Sequence, residues 1–249
     1  MKINIVSNDE RYKYVKNLLC NDGYDADLCT PNTVCECEYL LLSVRCEYDD
    51  ENLEKIFSDI TEETVVLCGK DKRIDRHFKG KIIDYSGDVD FLQKNAYLTA
   101  ESAVSFLHSH TKDSLRNKRV FVSGYGRIGR TLSLILKSLG SDVSAYARRS
   151  EVKERIEDDG LRSAELTECI NADIVINTVP SPIFPKELLS SLPNSTLLIE
   201  LASKPYGFEA MDRVVLASGL PGKILPIGAA RAVYDTVKSI LSKTGEEQL

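Results

Sequence analysis

Three features of the sequence predict an α/β protein built from two βα domains. Its short apolar runs are continuous rather than alternating, which marks strands covered on both faces, as in a parallel sheet flanked by helices. Those runs alternate with helix-sized segments along the chain. One of them, Arg119-Val120-Phe121-Val122, leads straight into a G-x-G-x-x-G turn. A small flavodoxin-like domain is therefore expected over residues 1–95. A Rossmann domain, a doubly wound parallel sheet, is expected over 118–226. A long interdomain helix with its linker occupies 96–117, and a C-terminal helix and tail take 227–249.

The elements follow in order. Ile3–Val6 reads as the first strand. Tyr12–Cys20 reads as a helix with Tyr14, Val15, Leu18 and Leu19 on one side. Tyr39–Val44 is an apolar run of strand length, Asn52–Ile60 is helical, Thr64–Cys68 is β-branched and strand-like, and Lys81–Tyr85 is another short strand. From Ala96 to Asp113, Ala100, Ala103, Val104 and Leu107 form an apolar stripe at helical spacing. The second domain begins at Lys118 with its first strand. Further strands are expected at Asp142–Tyr146, Asp173–Thr178, Thr196–Leu201 and Val214–Ala217. In Gly228–Lys243, Ala229, Val233, Val237 and Leu241 recur every four residues, one face of a final helix.

Composition excludes several function classes. With 32 Lys+Arg against 38 Asp+Glu the net charge is −6, which argues against a general nucleic-acid binder. The opening apolar stretch Met1–Val6 is too short for a signal-peptide core, and no run approaches the roughly 20 apolar residues of a membrane span. A cytoplasmic protein is expected. Seven cysteines in a chain without an export signal fit free thiols better than a disulfide framework. Cys35 and Cys37 form a C-x-C pair, but His77, His108 and His110 lie far from it, so no metal site is expected.

The chemistry is most legible at Gly124-Tyr125-Gly126-Arg127-Ile128-Gly129. Gly124 permits the tight turn, Gly126 lets backbone approach a pyrophosphate, and Gly129 lets the following helix pack on the strand. That helix carries Ile128, Leu132, Ile135, Leu136 and Leu139 at helical spacing, and its N-terminus offers free N–H groups to phosphates. The bland alternative is a tight βα turn without a ligand.

The next strand ends in Ala147-Arg148-Arg149-Ser150. An NAD site places an acid there, about 20 residues on, to accept the ribose hydroxyls. Ala147 has no carboxylate. Arg148, Arg149 and Ser150 suit the 2′-phosphate of NADP instead, since guanidinium pairs well with phosphate. The alternative is two solvated charges at a helix start. Three later strand ends also carry Pro/Gly/small-residue turns: Asn177-Thr178-Val179-Pro180, Glu200 through Gly207, and Ser218 through Gly222. Ligands bind at the carboxyl ends of strands in open α/β sheets, so Thr178, Val179, Pro180, Ala202 and Pro221 are expected around the nicotinamide.

These motifs resemble the dipicolinate synthase A-chain family of endospore-forming bacteria, itself related to the NAD(P)-binding domains of D-2-hydroxyacid dehydrogenases. The resemblance is strongest from about Asn95 to Lys238 and weak before about Tyr39. Its specific pieces are the glycine-rich turn, Ala147–Ser150, Ile176–Ser181, Leu201-Ala202-Ser203-Lys204-Pro205 and Gly219-Leu220-Pro221-Gly222. Asn95, Thr99 and Glu101 match an N-x-x-x-T-x-E at the interdomain helix, and Asp9-Glu10-Arg11 matches a D-x-R. The chain departs from the family in having Ser7-Asn8 for a glycine pair, Leu98 for a proline, and Pro226-Ile227-Gly228-Ala229-Ala230 for P-K-T-A-G.

The resemblance implies an oxidoreductase of spore dipicolinate synthesis, on the diaminopimelate branch of lysine synthesis. A hydroxytetrahydrodipicolinate would lose water, pass a hydride to NADP and become aromatic. The resemblance further implies Glu101 as a base, with Asn95 or Ser203 as an orienting donor. Arg11, Thr99, Lys204, Lys223 and the N–H groups around Gly222 would face the substrate. Glu101 reads almost equally well as a solvated helix residue. The second, flavoprotein-like subunit of dipicolinate synthase is implied as a partner, together with an oligomeric assembly. Two alternatives stand beside this reading. A D-2-hydroxyacid dehydrogenase would need a catalytic histidine, yet none follows His110. A catalytically silent NADP-binding or scaffolding subunit is favoured by the missing lysine after Gly222.

Overall fold

A computed structural model describes residues 1–209 and 212–246, and the predicted fold class holds. The chain forms two compact units, one of residues 1–95 with the described residues from Pro221 on, the other Ala96–Leu220. In the first, β1 (Lys2–Val6), α1 (Arg11–Asn21), β2 (Asp25–Cys29), β3 (Tyr39–Leu42), α2 (Asp50–Ser58), β4 (Val65–Cys68), α3 (Ile74–His77) and β5 (Ile82–Asp84) succeed one another. The sheet order is β2-β1-β3-β4-β5, all parallel. That is the flavodoxin-like order, with its switch point between β1 and β3. Leu40 and Leu42 of β3 and Val66 of β4 pack against Leu53 and Ile56 of α2 in one fully buried cluster. Burying each such side chain contributes roughly 1.5–3 kcal/mol.

Helix α4 (Val89–Thr111) crosses the division between the units and starts about two turns earlier than the Ala96 its apolar stripe suggests. Asp88 explains the early start, because its Oδ1 accepts the Phe91 N–H at 2.8 Å as an N-cap does. The second unit then runs β6 (Arg119–Ser123), α5 (Arg127–Ser138), β7 (Asp142–Tyr146), α6 (Ser150–Asp158), β8 (Arg162–Ser163), β9 (Ile174–Asn177), α7 (Lys186–Ser191), β10 (Leu197–Glu200) and β11 (Val214–Leu216). Its order is β11-β10-β9-β6-β7-β8, again all parallel, the Rossmann order with the switch point between β6 and β9. Phe121, Val175 and Leu198 from three neighbouring strands pack with the stacked rings of Phe184 and Phe208.

The chain leaves through α8 (Leu220–Ile224) and α9 (Pro226–Glu246). Pro226 opens α9, where its missing N–H costs nothing. Leu225 separates the two helices, and α9 packs along α1 in the first unit. Two edge strands have no sequence signal: β2 is Asp-Ala-Asp-Leu-Cys with mostly exposed side chains, and β8 has two residues. All seven cysteines are free thiols. Among the described residues no helix is long and apolar enough to cross a membrane, and no group of three His, Cys, Asp or Glu is arranged for a metal.

Candidate functional site

The glycine-rich turn leaves β6 at its carboxyl end, beside the switch point. Gly124 sits at φ +89°, and a Cβ there would lie 2.6 Å from Thr178 Oγ1 and 2.7 Å from Val179 Cγ2. A Cβ on Gly129 would lie 2.2 Å from the Gly124 carbonyl oxygen. The protein itself therefore requires both glycines. Gly126 is different. Its φ of −78° and ψ of −167° suit any residue, and a Cβ built there meets nothing within 4 Å. It is the N-cap of α5, whose first N–H groups have no intrahelical acceptor. Backbone donors and open space thus coincide at Gly126, which fits a pyrophosphate held close to the chain.

Tyr125 is buried. Its hydroxyl donates to Asp159 Oδ2 at 2.7 Å, and Arg130 of α5 clamps the same carboxylate from Nε at 2.7 Å and Nη2 at 2.8 Å. The Arg130 guanidinium, opposed by burial and helped by Tyr125, holds the Asp159 carboxyl down to about 2. The turn is thereby tied to the end of α6. Arg127 is exposed and Ile128 half-buried. Next door, the Gly124 N–H donates to the Tyr146 carbonyl at 2.8 Å, so the end of β7 lies against the turn. Ala147 there is buried, while Arg148, Arg149 and Ser150 are exposed. Arg149 is the N-cap of α6 and lies 3.5 Å from Glu151.

Across the switch point, Thr178 is half-buried and donates from Oγ1 to the Ser123 carbonyl at 2.7 Å. Val179 is half-buried and Pro180 exposed. Ala202 is buried, Ser203 half-buried, and Lys204 exposed with its Nζ 5.9 Å from the Tyr206 ring centre. These turns converge on a buried polar row that the sequence reading does not single out: Ser123, Asn177 and Glu200, side by side on β6, β9 and β10. A signal for it exists, because Glu200 ends a run of buried apolar residues, where an unpaired acid is expensive.

In the first unit Arg11 and Gly222 come together, both at the amino end of α1. Arg11 donates to Asp9 Oδ2 from Nε at 2.8 Å and Nη2 at 2.5 Å, and its N–H reaches Asp9 Oδ1 at 3.0 Å. Burial alone would push the Asp9 carboxyl up, but Arg11 outweighs it and holds it below the usual range. A Cβ on Gly222 would stand 3.1 Å from Asp9 Oδ1 and 3.4 Å from Arg11 Nε. Arg11 is thus a neutralised pair rather than the open cation its position in the sequence suggests. Pro221 is buried beside Gly222, and Lys223 is exposed. On α4, Thr99 is buried, Asn95 half-buried and Glu101 exposed.

Comparison with known proteins follows the geometry. Residues 92–203 match the NAD-binding domain of the D-isomer specific 2-hydroxyacid dehydrogenases. The chain is 32% identical over 180 residues to the dipicolinate synthase A chain of Bacillus subtilis (strain 168), a match covering 68% of this chain. It spans 61% of that relative, less than two thirds of its length. Among solved structures, dipicolinate synthase A chain from Bacillus subtilis superposes with a TM-score of 0.82 at 24% identity, covering 99% of this chain and 97% of that one. The corresponding dipicolinate synthase chain from Bacillus halodurans gives 0.79 at 22% identity, with 96% and 97% covered. The second unit is therefore a dehydrogenase-type domain for a nicotinamide dinucleotide.

Proposed function

We propose that this chain, 32% identical over 180 residues to the dipicolinate synthase A chain of Bacillus subtilis, is an NADP-dependent oxidoreductase subunit that forms dipicolinate from a hydroxytetrahydro- or dihydrodipicolinate. The observation that carries this reading is Gly126, a glycine that its own fold does not need, with open space over free helix N–H groups. Arg148 and Arg149, exposed after β7 where an NAD site would have an acid, support NADP over NAD.

The bound nicotinamide would take up a hydride from a substrate ring carbon, after water has left, while a proton departs and the ring becomes aromatic. The chain's share is positioning and proton removal. Tyr125, fixed by Asp159, holds the phosphate turn in one shape. Thr178, Val179, Pro180 and Ala202 flank the nicotinamide end. Gly222, Thr99, Lys204 and Lys223 are the residues proposed for the substrate carboxylates, with Arg11 left to its pair with Asp9. Asn95 and Ser203 orient the ring, and Glu101, exposed on α4, takes the proton.

Freshly prepared hydroxytetrahydrodipicolinate with NADP, with and without a flavoprotein-like partner subunit, tests the reading by the appearance of dipicolinate and NADPH. A silent NADP-binding subunit is the second reading. It is favoured by Ile227, exposed in the first turn of α9 where the family carries a lysine. Cofactor binding without turnover, with the partner present, would select it.

A further inference from the structure

Glu200 is a carboxylate with 0% exposure at the carboxyl end of β10, and no cation among the described residues touches it. Its surroundings consist of N–H donors alone. Oε1 accepts Asn177 Nδ2 at 2.7 Å and the Ala202 N–H at 3.0 Å; Oε2 accepts the Gly207 N–H at 2.8 Å and the Phe208 N–H at 3.4 Å. Both oxygens are saturated, and every partner is a donor.

Asn177 carries the arrangement across the sheet. It pairs in register with Glu200 on one side and Ser123 on the other. Ser123 Oγ donates to Asn177 Oδ1 at 2.6 Å, and Asn177 also holds Val179, accepting its N–H at 3.1 Å and donating to its carbonyl at 2.9 Å. The donor direction therefore runs from Ser123 to Asn177 to Glu200, and it must end on a group that only accepts. A carboxylate does; a carboxamide would present an NH2 to two N–H groups. Burial pushes the Glu200 carboxyl above the usual range by more than its donors lower it, so ionised Glu200 is held at a cost to stability. Such a group is retained for geometry.

What it fixes is two strand-end turns: the 178–180 turn, held by Asn177, and the 201–208 loop, held by Glu200. We propose that Glu200 is a positioning residue for the nicotinamide half of the dinucleotide, setting the 178–180 and 201–208 turns as its binding wall. The inference rests on the dinucleotide reading above. It separates the site into two halves, since Gly126 and the arginines after β7 serve the phosphates and adenosine independently of this network.

The test uses the full chain with three probes: NADPH, NADH and 2′,5′-ADP, a fragment lacking the nicotinamide. Glu200→Gln should unfold cooperatively, lose NADPH affinity tenfold or more, and keep 2′,5′-ADP affinity within about twofold. Gly207→Ala is the second variant, for the case that Glu200→Gln does not fold. A Cβ there would stand 2.2 Å from Asn177 Nδ2, displacing Asn177 while leaving the carboxyl in place. It should show the same selective loss, and Glu200→Asp should recover part of it. Equal weakening of NADPH and fragment would reveal a merely structural role and overturn the proposal, as would unchanged NADPH binding in either folded variant. If the unaltered chain bound neither dinucleotide, the cofactor reading itself would fall, and this inference with it.

Discussion

Substituting alanine at Gly126 distinguishes a glycine demanded by a ligand from one demanded by the fold. Two effects on stability oppose each other. Alanine is the poorer N-cap, costing about 1 kcal/mol, whereas restricting the unfolded chain stabilises by about 0.4–1 kcal/mol. With no atom within 4 Å of the new Cβ and an ordinary backbone conformation, nothing else enters. The net change in stability is within about 1 kcal/mol. Binding should behave otherwise, because the methyl group occupies the space where a pyrophosphate meets the α5 N–H groups. Losing one charge-assisted bond costs about 1.5–3 kcal/mol, or roughly tenfold to 150-fold in Kd. Gly124→Ala should show the reverse order. At φ +89° the strain is about 1–3 kcal/mol, and the Cβ collides with Thr178 and Val179. Thermal unfolding and NADPH fluorescence titration on the wild type and both variants give the comparison. Gly126→Ala with wild-type affinity would refute the reasoning, and so would an affinity loss matched by a large fall in melting temperature.

Replacing both Arg148 and Arg149 by alanine should weaken NADPH severalfold or more and leave NADH nearly unchanged; equal affinities of the unaltered protein for the two would rule out the NADP assignment. Asp159→Asn should loosen the Tyr125 tether. Lowering its carboxyl from 3.8 to about 2 sets a ceiling of about 2.4 kcal/mol, and with Arg130 48% exposed about 1 kcal/mol survives screening. Because the native value is depressed, that contribution is present above about pH 4 and fades as pH falls toward 2. The wild type should therefore melt about 2–4 °C above the variant at neutral pH and converge with it in acid. Glu101→Gln should lower turnover about a hundredfold with NADPH affinity intact, measured by dipicolinate formation. Unchanged turnover would leave Glu101 as an ordinary surface residue.

The sequence displays most of this fold because parallel strands buried on both faces must be apolar throughout. Tyr39–Leu42 and Ile174–Asn177 are conspicuous for that reason. β2 escapes because, as an edge strand pairing only with β1, it buries little and reads as polar chain. The site divides in the same way. Gly124, Gly126 and Gly129 are legible since their spacing encodes a local turn. The Asp159 clamp on Tyr125 joins residues 34 apart and has no local signature. The Ser123–Asn177–Glu200 row depends on the lateral register of three strands, which no single stretch of chain specifies. Arg11 carries its signal in a D-x-R spacing, but only coordinates reveal that Asp9 already claims two of its nitrogens.

The return of α9 to the first unit has a consequence for biogenesis. Residues 96–220 form one uninterrupted stretch, so the second unit has all its strands as soon as Leu220 leaves the ribosome. The first unit has its five strands much earlier, yet lacks the helix that lies along α1 and the ties that helix brings: Thr244 to Tyr39 at 2.7 Å, and Asp235 to Lys94 at 2.5 Å. Its completion must await α9, which is translated after the whole of the second unit. Of the two units, the one whose strands are translated earlier thus matures later, and until then the face of the first unit that receives α9 stays uncovered, the stage at which a nascent chain is most open to aggregation or chaperone capture.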